Sequence, residues 1–207
     1  MSTTAAPPVQ AWWPRNRLWL AGALVLGTLA FVLPYRGEQG ELDRAQSRHA
    51  VQAGRDGSGT LEGARWTLLR AEVRPAGDAL GGYAHGPAQL LLVHYRVVPD
   101  AGTTAQRLDA CTGRLAASDG RRWEANAPSN VATWLMPHGF NRSCGSRPGA
   151  GLDRIEARPG QPMDFTHAFL LPAGMDVSTL RPQVLLPPST TTPPGRYLEF
   201  RLPPLTR

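Results

Sequence analysis

Lysine is absent from this chain: all 22 basic residues are arginine. The arginines are scattered among acids and turns, and no ladder of aromatic residues runs between them. The net charge of +6 therefore reads as a solvated, mildly basic surface, and nucleic acid is not an expected partner. No Gly-x-Ser-x-Gly, phosphate loop or His-Glu-x-x-His occurs, so no hydrolase, nucleotide-binding or zinc-protease motif is on offer. The five histidines, His49, His85, His94, His138 and His167, make no metal-ligand spacing with one another, with cysteine or with a carboxylate. No metal and no cofactor is expected, and His94 and His167, within strand-like stretches, read as structural. What the chain has in excess is Ala, Gly, Pro and Arg, including 22 Gly and 20 Pro. That is the bias of GC-rich coding, and it points to a bacterial source without pointing to an activity.

One stretch, Leu18 to Leu33 (LWLAGALVLGTLAFVL), holds no charge and no proline; only Thr28 carries a hydroxyl. Its length of about sixteen residues gives roughly 24 Å of helix at 1.5 Å per residue, against a bilayer core of about 30 Å. Extension through Asn16 and Arg17 at one end and Pro34 and Tyr35 at the other closes most of that gap. Trp12, Trp13 and Trp19 cluster at the first end and Tyr35 stands at the second, where amphipathic rings favour the headgroup level. A core helix would show polar positions at helical spacing, and this run shows none. Arg15 and Arg17 could serve as the basic region of a signal peptide, but Val32-Leu33-Pro34-Tyr35-Arg36 offers no small-x-small cleavage site. The run therefore reads as an uncleaved single-pass anchor in the lipid bilayer. Arginines flank it on both sides, so the positive-inside rule is nearly tied. The cysteines favour a cytoplasmic N-terminus and an extracytoplasmic remainder.

The expected organisation is a disordered cytoplasmic tail over 1–15, a transmembrane helix over 16–35, and a stalk or short exposed helix over 36–62. A β domain over 63–203 and a short tail over 204–207 follow. From Ala64 the pattern becomes strand-like. In ARWTLLRAEV the apolar phase shifts by one residue between Leu68 and Leu69, the sign of a bulge or of a strand buried on both faces. Gln89 to Val98 sets Leu91, Val93, Tyr95 and Val97 on one face, and near-continuous apolarity predicts a central strand. Leu108 to Ala117, containing Cys111, predicts a weaker strand, and Ser118-Asp119-Gly120 a hairpin turn back into Arg122-Trp123-Glu124. Asn126 to Pro159 is long and poorly patterned, with room for a short irregular strand. Met163 to Leu171, Gln183 to Leu186 and Tyr197 to Leu202 complete the set. Six or seven short strands separated by turn signals predict an all-β, antiparallel β-sandwich preceded by one N-terminal transmembrane helix.

Three segments carry a family likeness: Leu92-Val93-His94-Tyr95-Arg96-Val97, Asp119-Gly120-Arg121-Arg122-Trp123, and Pro159-Gly160 through Phe165 to Leu171-Pro172, followed by a terminal Leu198-x-Phe200. Over Gly63 to Leu202 the chain resembles the immunoglobulin-like, telokin-like domains of unknown function on bacterial membrane-anchored proteins and lipoproteins. The resemblance implies an immunoglobulin-like sandwich and an extracytoplasmic address, and brings no catalytic residues. The chain departs from the pattern in Pro99-Asp100, where an Asn is usual, and in a long cysteine-bearing insertion.

Cys111 and Cys144 are the only cysteines, and an even pair in a translocated domain predicts a disulfide. The loop of about 33 residues would be worth roughly 3–4 kcal/mol in the chain-entropy model. The contrasting expectation is a thiol enzyme resembling sortase transpeptidases, which also join one anchor to a β-fold. Those need Thr-Leu-x-Thr-Cys, and Leu108-Asp109-Ala110-Cys111 does not supply it, although His94 and Arg114 could take the partner roles. The leading expectation is a non-catalytic interaction or envelope module. Its partners would be the bilayer and another envelope protein or a cell-wall component.

Overall fold

A computed structural model describes residues 16–30, 32, 49–75, 87–125, 140–151, 153–187 and 195–205. The chain divides into two units, Met1–Asp43 and Arg44–Arg207. In the first, residues 16–30 form helix α1. Leu18, Trp19, Leu24, Val25 and Leu26 are exposed on it, Leu18 and Trp19 at about four-fifths of their surface. The Thr28 hydroxyl donates to Leu24 O at 2.7 Å, so the one polar side chain of the apolar run is satisfied inside the helix. Among the described residues no helix is long and apolar enough to cross a membrane. Most of the expected span after α1 lies outside the described residues.

The second unit is a two-sheet sandwich. Strands β1 (His49–Gln52), β2 (Ser58–Leu61), β3 (Ala64–Pro75) and β4 (Ala88–Pro99) come first. A single-turn helix α2 (Ala105–Asp109), β5 (Thr112–Ala116) and β6 (Arg122–Glu124) follow. The chain continues through β7 (Ser146–Pro148), β8 (Arg154–Glu156), β9 (Met163–Pro172), β10 (Arg181–Leu185) and β11 (Arg196–Glu199). One sheet runs β1-β11-β10-β5-β6 and the facing sheet β2-β3-β4-β9, while β7 and β8 pair as a separate hairpin. All the pairings are antiparallel except β1 with β11, which is parallel.

Alternation decides which residues fill the space between the sheets. Strand β4 lies between β3 and β9, and its Leu91, Val93, Tyr95 and Val97 are wholly buried. From β9 come Phe165, Phe169 and Leu171; from the opposite sheet come Leu115, Val184 and Leu198, with Phe200 just beyond β11. Tyr95 stacks on Phe165 at 5.2 Å between ring centroids, and Trp66 meets Phe165 edge-on at 5.9 Å. Of the two meanings of the phase shift in β3, the bulge is the one present: pairing with β4 shifts between Leu68 and Arg70. The extra residue lets Trp66, Leu68 and Ala71 all face inward, while Leu69 is 41% exposed.

Three segments differ from the sequence reading. The sheets begin at His49, because β1 and β2 fall in the expected stalk. Glu62 and Gly63, with φ of 53° and 69°, form the two-residue turn of the β2–β3 hairpin. Thr103 fastens that turn by donating its hydroxyl to Gly63 O at 2.6 Å. Cys111 is not in a strand. The predicted strand from Leu108 gives way to α2, whose N-cap Thr104 accepts from Arg107 N and whose Ala105 and Leu108 face the core. In the described part of the poorly patterned segment there are two short strands, β7 and β8, rather than one. The Ser118–Gly120 turn is as expected: β5 and β6 pair across it, and Gly120 takes φ of 89°.

Candidate functional site: the Cys111–Cys144–His167 cluster

Cys111 stands between α2 and β5, Cys144 just before β7, and His167 near the middle of β9. The fold brings all three together. The Cys111 and Cys144 sulfurs are in bonding contact, and their Cα atoms are 6.2 Å apart, within the span a disulfide requires. His167 Nε2 lies 4.0 Å from each sulfur. Cys144 is fully buried, whereas Cys111 is half-buried and lines an open groove of about 690 Å³ with Thr112, Ser143 and His167.

The imidazole is held by packing. His167 belongs to the inward face of β9 and meets Tyr95 and Phe165 edge-on at 5.4 and 5.1 Å. On the opposite sheet Gly113 faces it, and a Cβ there would overlap the ring. Nδ1 is buried with no hydrogen-bond partner among the described residues. Burial pushes the His167 pKa down to about 3, because the cation would lose most of its hydration there. The ring is therefore neutral at physiological pH, with one nitrogen carrying a lone pair.

A polar knot fixes the approach of Cys144. Asp109, at the end of α2, accepts from the hydroxyls of Ser143 and Ser146, the latter at 3.0 Å, and pairs with Arg154 of β8. Gly145 lies so close to Ala105 O and Asp109 N that no side chain fits there. Asn141 donates through Nδ2 to Ser143 O at 2.8 Å, and its own carbonyl accepts from Thr166 N of β9 at 2.6 Å. Asn141 thus ties the cysteine-bearing segment to the sheet.

His94 and Arg114, the partners imagined for a thiol enzyme, are engaged elsewhere. His94 Nδ1 is 2.9 Å from Thr166 Oγ1 and Nε2 is 3.3 Å from Glu72. Burial is the main cause holding its pKa below the usual histidine value, with Arg70 adding to it and Glu72 opposing. Arg114 donates to Gln183 Oε1 at 2.7 Å and lies over the Tyr197 ring. The imidazole beside Cys111 is His167. Of the expected membrane flanks, Arg17 and Trp19 are exposed on α1, and Trp12, Trp13, Arg15 and Tyr35 lie outside the described residues, as do His85 and His138.

The absence of a metal-ligand spacing in the sequence does not hold in space, because Cys111, Cys144 and His167 offer ligand atoms all within 4.8 Å of one another. Three separate segments supply them, so no local motif could have revealed the set. Comparison with protein-family models, with curated proteins and with solved structures finds no match to the chain.

Proposed function

We propose that this protein is a single-pass membrane protein whose extracytoplasmic β-sandwich, of the immunoglobulin-like kind, acts by binding rather than by catalysis. The observation that carries the reading is the surface of α1. Its exposed Leu18, Trp19, Leu20, Leu24, Val25 and Leu26 point around the helix rather than along one stripe. A helix apolar on all sides is solvated by lipid more readily than by water, and Thr28 is already satisfied within it. Phe31 to Leu33 continue the apolar character in the sequence, with Arg17 and Tyr35 as flanks.

The cysteine pair supports an oxidising compartment for the sandwich. The sulfurs are occupied with each other, which favours a binding module over thiol chemistry. The partner class we assign, beside the bilayer, is another envelope protein or a cell-wall component. Topology is the first test: alkaline phosphatase fused after Arg207 should be active, and the chain should resist alkaline carbonate extraction. An active cytoplasmic reporter at the same position, or release of the chain by carbonate, overturns the reading.

A further inference from the structure

We infer that Cys111, Cys144 and His167 form a redox-gated zinc site: oxidised, the cysteines close on each other; reduced, their thiolates and His167 Nε2 hold Zn²⁺. The inference stands on the cluster alone and is independent of the membrane reading. Zinc takes thiolate sulfur at about 2.3 Å and imidazole nitrogen at about 2.0–2.1 Å in a tetrahedron, which sets sulfur and nitrogen about 3.6 Å apart. Nε2 already lies 4.0 Å from both sulfurs, so the nitrogen needs almost no movement to reach an ion between them. Only the sulfurs must part. The Cα separation of 6.2 Å is toward the long end of the disulfide range, so side-chain rotation can open the pair.

The surroundings suit the ion. Two thiolates and a neutral imidazole cancel the charge of Zn²⁺, the condition under which such an ion can sit at the edge of an apolar core. The imidazole is pre-oriented by Gly113, Tyr95 and Phe165. Cys111 and His167 both line the groove, which gives an entry path and leaves a fourth position for solvent.

The exchange balances with a dithiol donor. One donor thiolate attacks a disulfide sulfur and the second donor thiol resolves the mixed disulfide. The donor leaves as its own disulfide, and two electrons and two protons pass to Cys111 and Cys144. Zinc then displaces the two thiol protons to solvent.

The test uses the full chain in detergent, reduced with a dithiol, freed of it without air, and titrated with Co²⁺ alone. One equivalent should raise a sulfur-to-cobalt charge-transfer band with tetrahedral ligand-field bands, and Zn²⁺ should abolish both. The oxidised chain should show neither. His167→Gln should weaken binding by more than about 10-fold, the loss that removal of even an outer-shell partner brings. X-ray absorption of the zinc-loaded wild type, which needs no variant, should show two sulfurs and one imidazole nitrogen. A reduced chain with no thiolate band, a spectrum without imidazole, or an undiminished His167→Gln overturns the inference. So does a reduced chain that loses its sheet signal and does not regain it with zinc.

Discussion

Gly113 of β5 and His167 of β9 meet face to face across the sandwich, and a Cβ at position 113 would overlap His167 Nδ1 and Cγ as well as Ala125 Cβ. Glycine is required there by the ring opposite, since Gly113 is not among the glycines at positive φ. Gly113→Ala should therefore overpack the core and lower stability by about 1–3 kcal/mol in denaturant unfolding. Gly102, where an added Cβ would meet nothing within 4 Å, is the matched control. Gly102→Ala should stay within about 0.5 kcal/mol of wild type. Equal effects of the two substitutions would show that the contact with His167 is not what fixes residue 113.

The cysteine pair makes a second prediction. In the folded, non-reduced chain, titration should find no free thiol, and Cys111→Ala and Cys144→Ala should destabilise alike, by roughly 2–5 kcal/mol. The symmetry is the informative part. A disulfide is lost whichever partner is removed, whereas an enzyme with a nucleophilic Cys111 would tolerate loss of Cys144. A single fast-reacting thiol with Cys144 dispensable would revive the transpeptidase-like reading.

Leu68 and Leu69 are adjacent and chemically identical, yet Leu68 is buried and Leu69, at the bulge, is 41% exposed. Leu68→Ala should cost about 2–5 kcal/mol through the cavity it leaves. Leu69→Ser should change stability by no more than about 0.5 kcal/mol. Equal costs at the two positions would show that Leu68 does not face the core.

This bulge was legible in the sequence, since a one-residue phase slip in an apolar pattern has few structural meanings. The central position of β4 and the Ser118–Gly120 turn were legible for similar reasons: period-two burial and positive φ leave local marks. Helix α2 was not, because five residues hold too little periodicity to oppose the strand pattern beginning at Leu108. Strand β1 was missed because its partner is β11, close to the far end of the chain, and its own residues are mostly exposed. The site was half legible. Two cysteines in a β domain invite pairing, but His167 joins them only because β9 turns that face toward Gly113 and the end of α2.

The buried imidazole gives the last prediction. In the folded chain burial holds His167 near a pKa of about 3, against an ordinary value of 6.5. Between those values the unfolded chain binds a proton at this residue and the folded chain does not, so the unfolded state is favoured as pH falls. Its contribution is complete above about pH 6.5 and is lost progressively toward pH 3. His94 is depressed in the same direction and adds to the slope. The lowered carboxylates, Asp56, Asp119, Asp164 and Asp176, act only in more acid solution, below their ordinary 3.8. The oxidised, metal-free chain should therefore lose about 1.4 kcal/mol per pH unit through His167 between about pH 6 and pH 4, with His94 adding in the same direction. Denaturant unfolding across that interval measures the slope. His167→Gln should flatten it even where it lowers stability at neutral pH, because glutamine takes up no proton. His94→Gln should flatten it less. A wild type whose stability is level across the interval, or a slope that survives in His167→Gln, would mean that the ring is hydrated or paired when protonated, contrary to its placement against Gly113, Tyr95 and Phe165.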